Sequence, residues 1–137
     1  MQHDEFIGQV QARGKLSSRG QAERVTRSVL ETLGERIPDG LAENLAAQLP
    51  HEVGEHLRRT ERPDGHGTGE SFDRDAFVAH VSERSGLDRP QAVYASRVVC
   101  EVLDEATQGA VMAKLQQALP ADLREIVAAG SGGQMRA

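Results

Sequence analysis

The chain states one pattern twice. "QAERVTRSVLETLGERIPDGLAENLAAQLP", starting at Gln21, lies without a gap over "QAVYASRVVCEVLDEATQGAVMAKLQQALP", starting at Gln91. Gln21 meets Gln91, Arg27 meets Arg97, Val29 meets Val99 and Glu31 meets Glu101 at this offset. Leu33 then meets Leu103, Glu35 meets Glu105, Leu45 meets Leu115, and Leu49-Pro50 meets Leu119-Pro120. Upstream the offset grows by one residue, so that Phe6, Ile7 and Val10 meet Phe77, Val78 and Val81. A repeat of this length constrains the fold more than any composition does, because each half is expected to form the same helical unit.

The apolar spacing inside each copy is helical. Phe6, Ile7 and Val10 make one face of a short first helix. Ala22, Val25, Val29, Leu33 and Ile37 follow in steps of three and four, and Ala92, Ala95, Val99, Leu103 and Ala106 do the same. Ser18-x-x-Gln21 and Asp88-x-x-Gln91 have the spacing of capping boxes at the start of these long second helices, and Pro90 falls in a first turn where its missing N–H is harmless. Leu41, Leu45 and Leu49 mark a third helix, matched by Val111, Leu115 and Leu119. A fourth starts at Pro50 or Pro120 and carries Val53 and Leu57, or Leu123 and Val127. No segment alternates as a strand would, so the expected fold is all-α: a compact eight-helix bundle of two homologous four-helix repeats.

Residues 1–60 form the first expected repeat and 73–129 the second. Between them 61–72, within "RTERPDGHGTGESFD", reads as a linker, and 130–137 as a flexible tail. A lone helical unit of about sixty residues has a marginal core. The long helices also carry apolar residues outside the main stripe, namely Leu30, Val98 and Val102. Packing the two halves together would bury them, so one shared core is expected.

A tandem pair of four-helix units, each with a phenylalanine-led first helix, a long "QA…R…VL..L" second helix and an internal "LP", resembles the bacterial domain-of-unknown-function family 2267. The resemblance runs from about Asp4 to Val127. It implies an all-helical fold built from the two halves, and it carries over no catalytic residue.

"HEVGEH", from His51 to His56, nearly spells a zinc-protease signature. That motif needs its histidines four apart, which leaves them about 40° apart on a helix, whereas a spacing of five leaves roughly 140°. The matching positions of the second copy are Ala121 and Ile126. The stretch reads instead as a helix start, with Pro50 before the first turn and Glu52, like Asp122, facing the positive end of the dipole. His66 falls in the linker, His3 lies near the start, and His80 is expected at the surface. "GHGTG" lacks the strand and helix of a phosphate loop. No metal and no cofactor is expected. Cys100, the single cysteine, sits beside Val99 and is read as a buried, inert thiol.

Arg27 and Arg97 occupy equivalent places, each followed four residues on by a glutamate, Glu31 or Glu101. The plain reading is an exposed ion pair on a helix flank. The sharper one is a pair of guanidiniums gripping an anion or a partner's carboxylate between the halves, with Glu35 and Glu105 nearby.

Charge narrows the partners. With 21 acidic residues against 16 basic ones the net charge is −5, which disfavours phosphate backbones, and four aromatics cannot furnish a base-stacking platform. No nucleic-acid partner is expected. Neither is a membrane, since no apolar run approaches about 20 residues. The start of the chain lacks the features of a signal peptide, and a single cysteine suits a reducing cytoplasm. The expectation is a non-enzymatic interaction or scaffold module with a protein partner in the bacterial cytoplasm. The alternative is a small anionic-ligand-binding or enzymatic helical domain using Arg27, Arg97, Glu31 and Glu101.

Overall fold

Capping decides where the long helices begin. In the computed structural model, which describes residues 1–59, 73–109 and 112–129, Asp88 accepts from the Gln91 amide while the Gln91 side chain accepts from the Asp88 amide. This is the full reciprocal box. At the first long helix the Ser18 hydroxyl accepts from the Gln21 amide at 3.1 Å, but the Gln21 side chain turns to the amide and hydroxyl of Ser17. The expected box is therefore half made there. Ser17 offers two donors, whereas Leu87, its counterpart, has only an amide, already bonded to Ser85 Oγ at 3.2 Å.

Eight helices follow among the described residues, and no strand. They are α1 (His3–Gly14), α2 (Arg19–Arg36), α3 (Asp39–Ala47), α4 (His51–Arg58), α5 (Arg74–Ser85), α6 (Arg89–Ala106), α7 (Met112–Ala118) and α8 (Ala121–Ala129). The expected linker, tail and Val111 lie outside the described residues. No described helix is long and apolar enough to cross a membrane.

The apolar stripes point where the spacing says. Ala22, Val25, Val29, Leu33 and Ile37 are buried, as are Ala92, Ala95, Val99 and Leu103; Ala106 and Leu41 are only partly covered. The two long helices, α2 and α6, touch each other at the centre. Around them the short helices cross over: α1 packs on both α2 and α6, and α5 packs on both α6 and α2. α4 closes over α2, and α8 over α6. This arrangement explains why Leu30, Val98 and Val102, off the main stripe, are all 0% exposed. A helix with neighbours on several sides must be apolar on several sides. The buried side chains of α1–α4 and of α5–α8 form one continuous cluster.

Two local features fix the ends of the bundle. α3 and α4 approach so closely that a Cβ on Gly54 would lie 2.7 Å from the Ala46 carbonyl oxygen. Asp122, in the first turn of α8, accepts from the Leu123 amide at 2.9 Å and from the Arg74 amide at 3.0 Å. One carboxylate thus covers free donors at the starts of both α8 and α5.

Candidate functional site

The polar chemistry concentrates where the short helices end against the long ones. Arg84, in the last turn of α5, donates from Nη1 to Thr32 Oγ1 at 2.9 Å and pairs through Nη2 with Glu35 at 2.8 Å, both on α2. Arg24 of α2 reaches back, donating from Nε to the Arg84 carbonyl at 3.3 Å. Its guanidinium lies over Gly86, where a Cβ would be 3.8 Å from Nη2. Gly86 itself takes the left-handed turn (φ 78°) that ends α5.

One helical turn beyond Arg24 along the same flank, Arg27 Nε lies 3.3 Å from Glu31 Oε2, and Arg59 at the end of α4 shares that oxygen at 3.5 Å. Arg24, Arg27, Ser28, Glu31 and Arg84 together line a pocket of about 290 Å³. Its lining holds three guanidiniums against one carboxylate, and that carboxylate is engaged by Arg27 and Arg59. Arg24 pairs with no carboxylate among the described residues. A cluster of planar donors of this kind suits a carboxylate or phosphate oxygen.

A second cluster ties α1 to α6. Arg13 Nη1 lies 3.0 Å from Glu101 Oε2 and also contacts Glu105, whose other oxygen accepts from Nη2 at 2.9 Å. The Tyr94 hydroxyl donates to the Arg13 carbonyl at 2.9 Å. Hydrogen bonding to Glu105 holds the Arg13 guanidinium above its usual range, and the same bond lowers the Glu105 carboxyl. Here two carboxylates surround one arginine.

The residues singled out by the repeat therefore part company. Arg27 and Glu31 line the pocket; Glu101 is held by Arg13, away from it. Arg97 is 7% exposed, so it is no exposed flank like Arg27. The cause is α6 itself, which packs on α1, α5 and α8 and buries every residue from Ala95 to Cys100. Burial pushes the Cys100 thiol up to about 12, so the thiolate that would react is suppressed.

The histidines of "HEVGEH" have separate surroundings. His51 is exposed, 3.9 Å from Glu55, while the half-buried His56 accepts through Nδ1 from Arg59 Nη1 at 2.8 Å. Burial and then Arg59 lower the His56 pKa, since a ring facing a guanidinium gains nothing by taking a proton. His80, expected at the surface, is half-buried, and His66 lies outside the described residues.

Residues 3–126 match the model of the family described as "Uncharacterized conserved protein (DUF2267)". The chain belongs to that family. No curated protein matches it. The family's description assigns no reaction, so the reading of the site in this family member rests on its geometry. Three of the five pocket residues, Arg24, Ser28 and Arg84, were not singled out in the sequence. The signal available for the first was a mismatch, because Arg24 stands against Tyr94 at the repeat offset.

Proposed function

We propose that this chain is a non-enzymatic interaction module of the bacterial cytoplasm, built of two duplicated four-helix units. In this reading it receives an acidic segment of a protein partner on the flank of α2 that carries the ends of α4 and α5. One observation carries the reading. In a chain of net charge −5, that face gathers Arg24, Arg27, Arg59 and Arg84 around Glu31 and Glu35, a surplus of two positive charges (four less two). A basic patch on an acidic protein orients an acidic partner and repels it elsewhere. The small-anion alternative keeps only half of its residues, since Arg27 and Glu31 line the pocket whereas Arg97 and Glu101 do not.

The test is binding of a fluorescently labelled glutamate-rich peptide, followed by anisotropy at low and at physiological salt. Binding should weaken with salt and vanish when Arg27→Glu and Arg59→Glu are combined, because the face then carries net negative charge. A peptide that fails to bind at low salt, or that binds the doubly reversed variant equally well, would overturn the proposal.

A further inference from the structure

The two clusters at the helix ends are built on the same plan and differ in the groups that face the arginine. Arg13 and Arg84 stand 71 positions apart, Tyr94 and Arg24 differ by 70, and so do Glu101 and Glu31, and Glu105 and Glu35. In each cluster the arginine ends a short helix and pairs with a glutamate of a long helix from the other side of the linker: Arg13 with Glu105, Arg84 with Glu35. In each, a side chain of that long helix donates to the arginine's carbonyl: Tyr94 to Arg13, Arg24 to Arg84.

What differs is the second carboxylate. Arg13 Nη1 holds Glu101 at 3.0 Å, whereas among the described residues Arg84 Nη1 donates to the neutral Thr32 hydroxyl at 2.9 Å. Glu31, the counterpart of Glu101, is taken up by Arg27 and Arg59 instead. Tyr94 shows that a phenol suffices to cover the carbonyl at the end of the short helix. The positive charge that Arg24 brings is therefore more than this capping needs, and among the described residues no carboxylate pairs with it.

We infer that the pocket between Arg24 and Arg84 binds one carboxylate supplied from outside, the counterpart of the group that Glu101 supplies internally beside Arg13. Ser28 lines the same pocket with a hydroxyl, although that hydroxyl already donates to the Arg24 carbonyl at 2.7 Å, so it can only accept. The guanidiniums of Arg24 and Arg27 are the donors with capacity to spare. One singly charged carboxylate group suits the lining better than a doubly charged phosphate group, because Glu31 repels each charge placed inside the pocket. The carboxylate is that of a glutamate or aspartate side chain or of a small organic acid. This inference rests on the basic-face reading above and narrows it to one pocket and one functional group.

The experiment titrates the full chain with glutarate, with an amidated glutamate-rich peptide and with inorganic phosphate, following the arginine Nε–Hε resonances by NMR. Glutarate and the peptide should shift Arg24 and Arg27 and compete with each other. Arg24→Tyr, which installs the residue used in the other cluster, should weaken both by about tenfold while moving the Tm by no more than about 3 °C. Arg24→Gln, which retains a donor for the Arg84 carbonyl, should give the same loss and serves if the tyrosine variant folds poorly. If the peptide binds but neither variant weakens it, the pocket inference is overturned and the basic-face proposal survives. If phosphate displaces glutarate from the same resonances at lower concentration, the assignment to a carboxylate is overturned. If neither glutarate nor peptide binds, both proposals fall together.

Discussion

Leu33 and Leu103 offer the most direct test of how the core is assembled. Each is 0% exposed, on α2 and α6 respectively, and both belong to the one continuous cluster. Truncation to alanine removes the apolar transfer energy of the side chain and leaves a cavity whose walls relax only partly. The long helices are held from several sides, by α1, α4 and α5 around α2 and by α1, α5 and α8 around α6, so little collapse is available. Leu33→Ala and Leu103→Ala should therefore each cost about 3–4 kcal/mol, in the middle of the range for buried leucines. An unfolding entropy of about 2.1 cal/mol/K per residue gives roughly 0.29 kcal/mol/K for the whole chain, so a loss of 3 kcal/mol lowers the Tm by about 10 °C. The chain has no tryptophan and one tyrosine, which makes far-ultraviolet circular dichroism during urea unfolding the suitable probe. Both variants should show one transition, displaced to lower urea with unchanged slope. A loss below ~0.5 kcal/mol at either site would refute the burial argument. A split into two transitions, one of them at the wild-type position, would refute the idea that α1–α4 and α5–α8 melt as a unit.

Three further outcomes follow from local geometry. Lys15 closes α1 in the left-handed conformation (φ 54°) that Gly86 adopts at the end of α5, so Lys15→Gly should stabilise the protein by about 0.5–1 kcal/mol, and a loss in urea midpoint would contradict this. Gly54→Ala should destabilise by about 1–3 kcal/mol despite the better helix propensity of alanine, because the added Cβ meets the Ala46 carbonyl at 2.7 Å; a gain would mean that α3 and α4 separate at little cost. His56 is held below its ordinary value by burial and by Arg59, so the unfolded chain binds a proton there more readily than the folded one. Stability should fall as the pH drops through about 6.5 and go on falling until the folded imidazole is itself protonated, and His56→Gln should flatten that slope in urea midpoints measured from about pH 5 to 8. An unchanged slope in the variant would count against the assignment.

The apolar register was legible because burial is periodic. A helix facing one core must repeat its contacts every three to four residues, so Phe6, Val29, Leu33 and Leu103 announce themselves by spacing alone. The helix starts were legible for a similar reason, since Asp88 and Pro90 each have a restricted local role. Ser18 shows the limit. Whether Gln21 returns to the cap residue depended on a competing donor at Ser17, a choice made by two side chains in space.

The pocket was only half legible, for a related physical reason. Sequence spacing reports neighbours on one helix, so it found Arg27 with Glu31, an i,i+4 pair. It could not report that Arg84, some fifty residues further along the chain, meets Thr32 and Glu35, because that contact exists only once α5 has packed on α2. Equivalence within the sequence also misled where surroundings diverged. Arg27 and Arg97 share a position and a glutamate four residues on, yet α6 is enclosed by its neighbours where the Arg27 flank of α2 is open, so one guanidinium is exposed and the other 7% exposed. A charged side chain on an open flank has donors left for a partner, whereas a buried one must have its donors met within the protein. The informative pairs were therefore the mismatched ones. Arg24 against Tyr94 places a charge where its counterpart has a phenol, and Thr32 against Val102 places a hydroxyl where its counterpart is apolar. Both differences fall beside Arg84: Arg24 adds a guanidinium there, and the Thr32 hydroxyl, which donates to the Ser28 carbonyl, accepts from Arg84 Nη1.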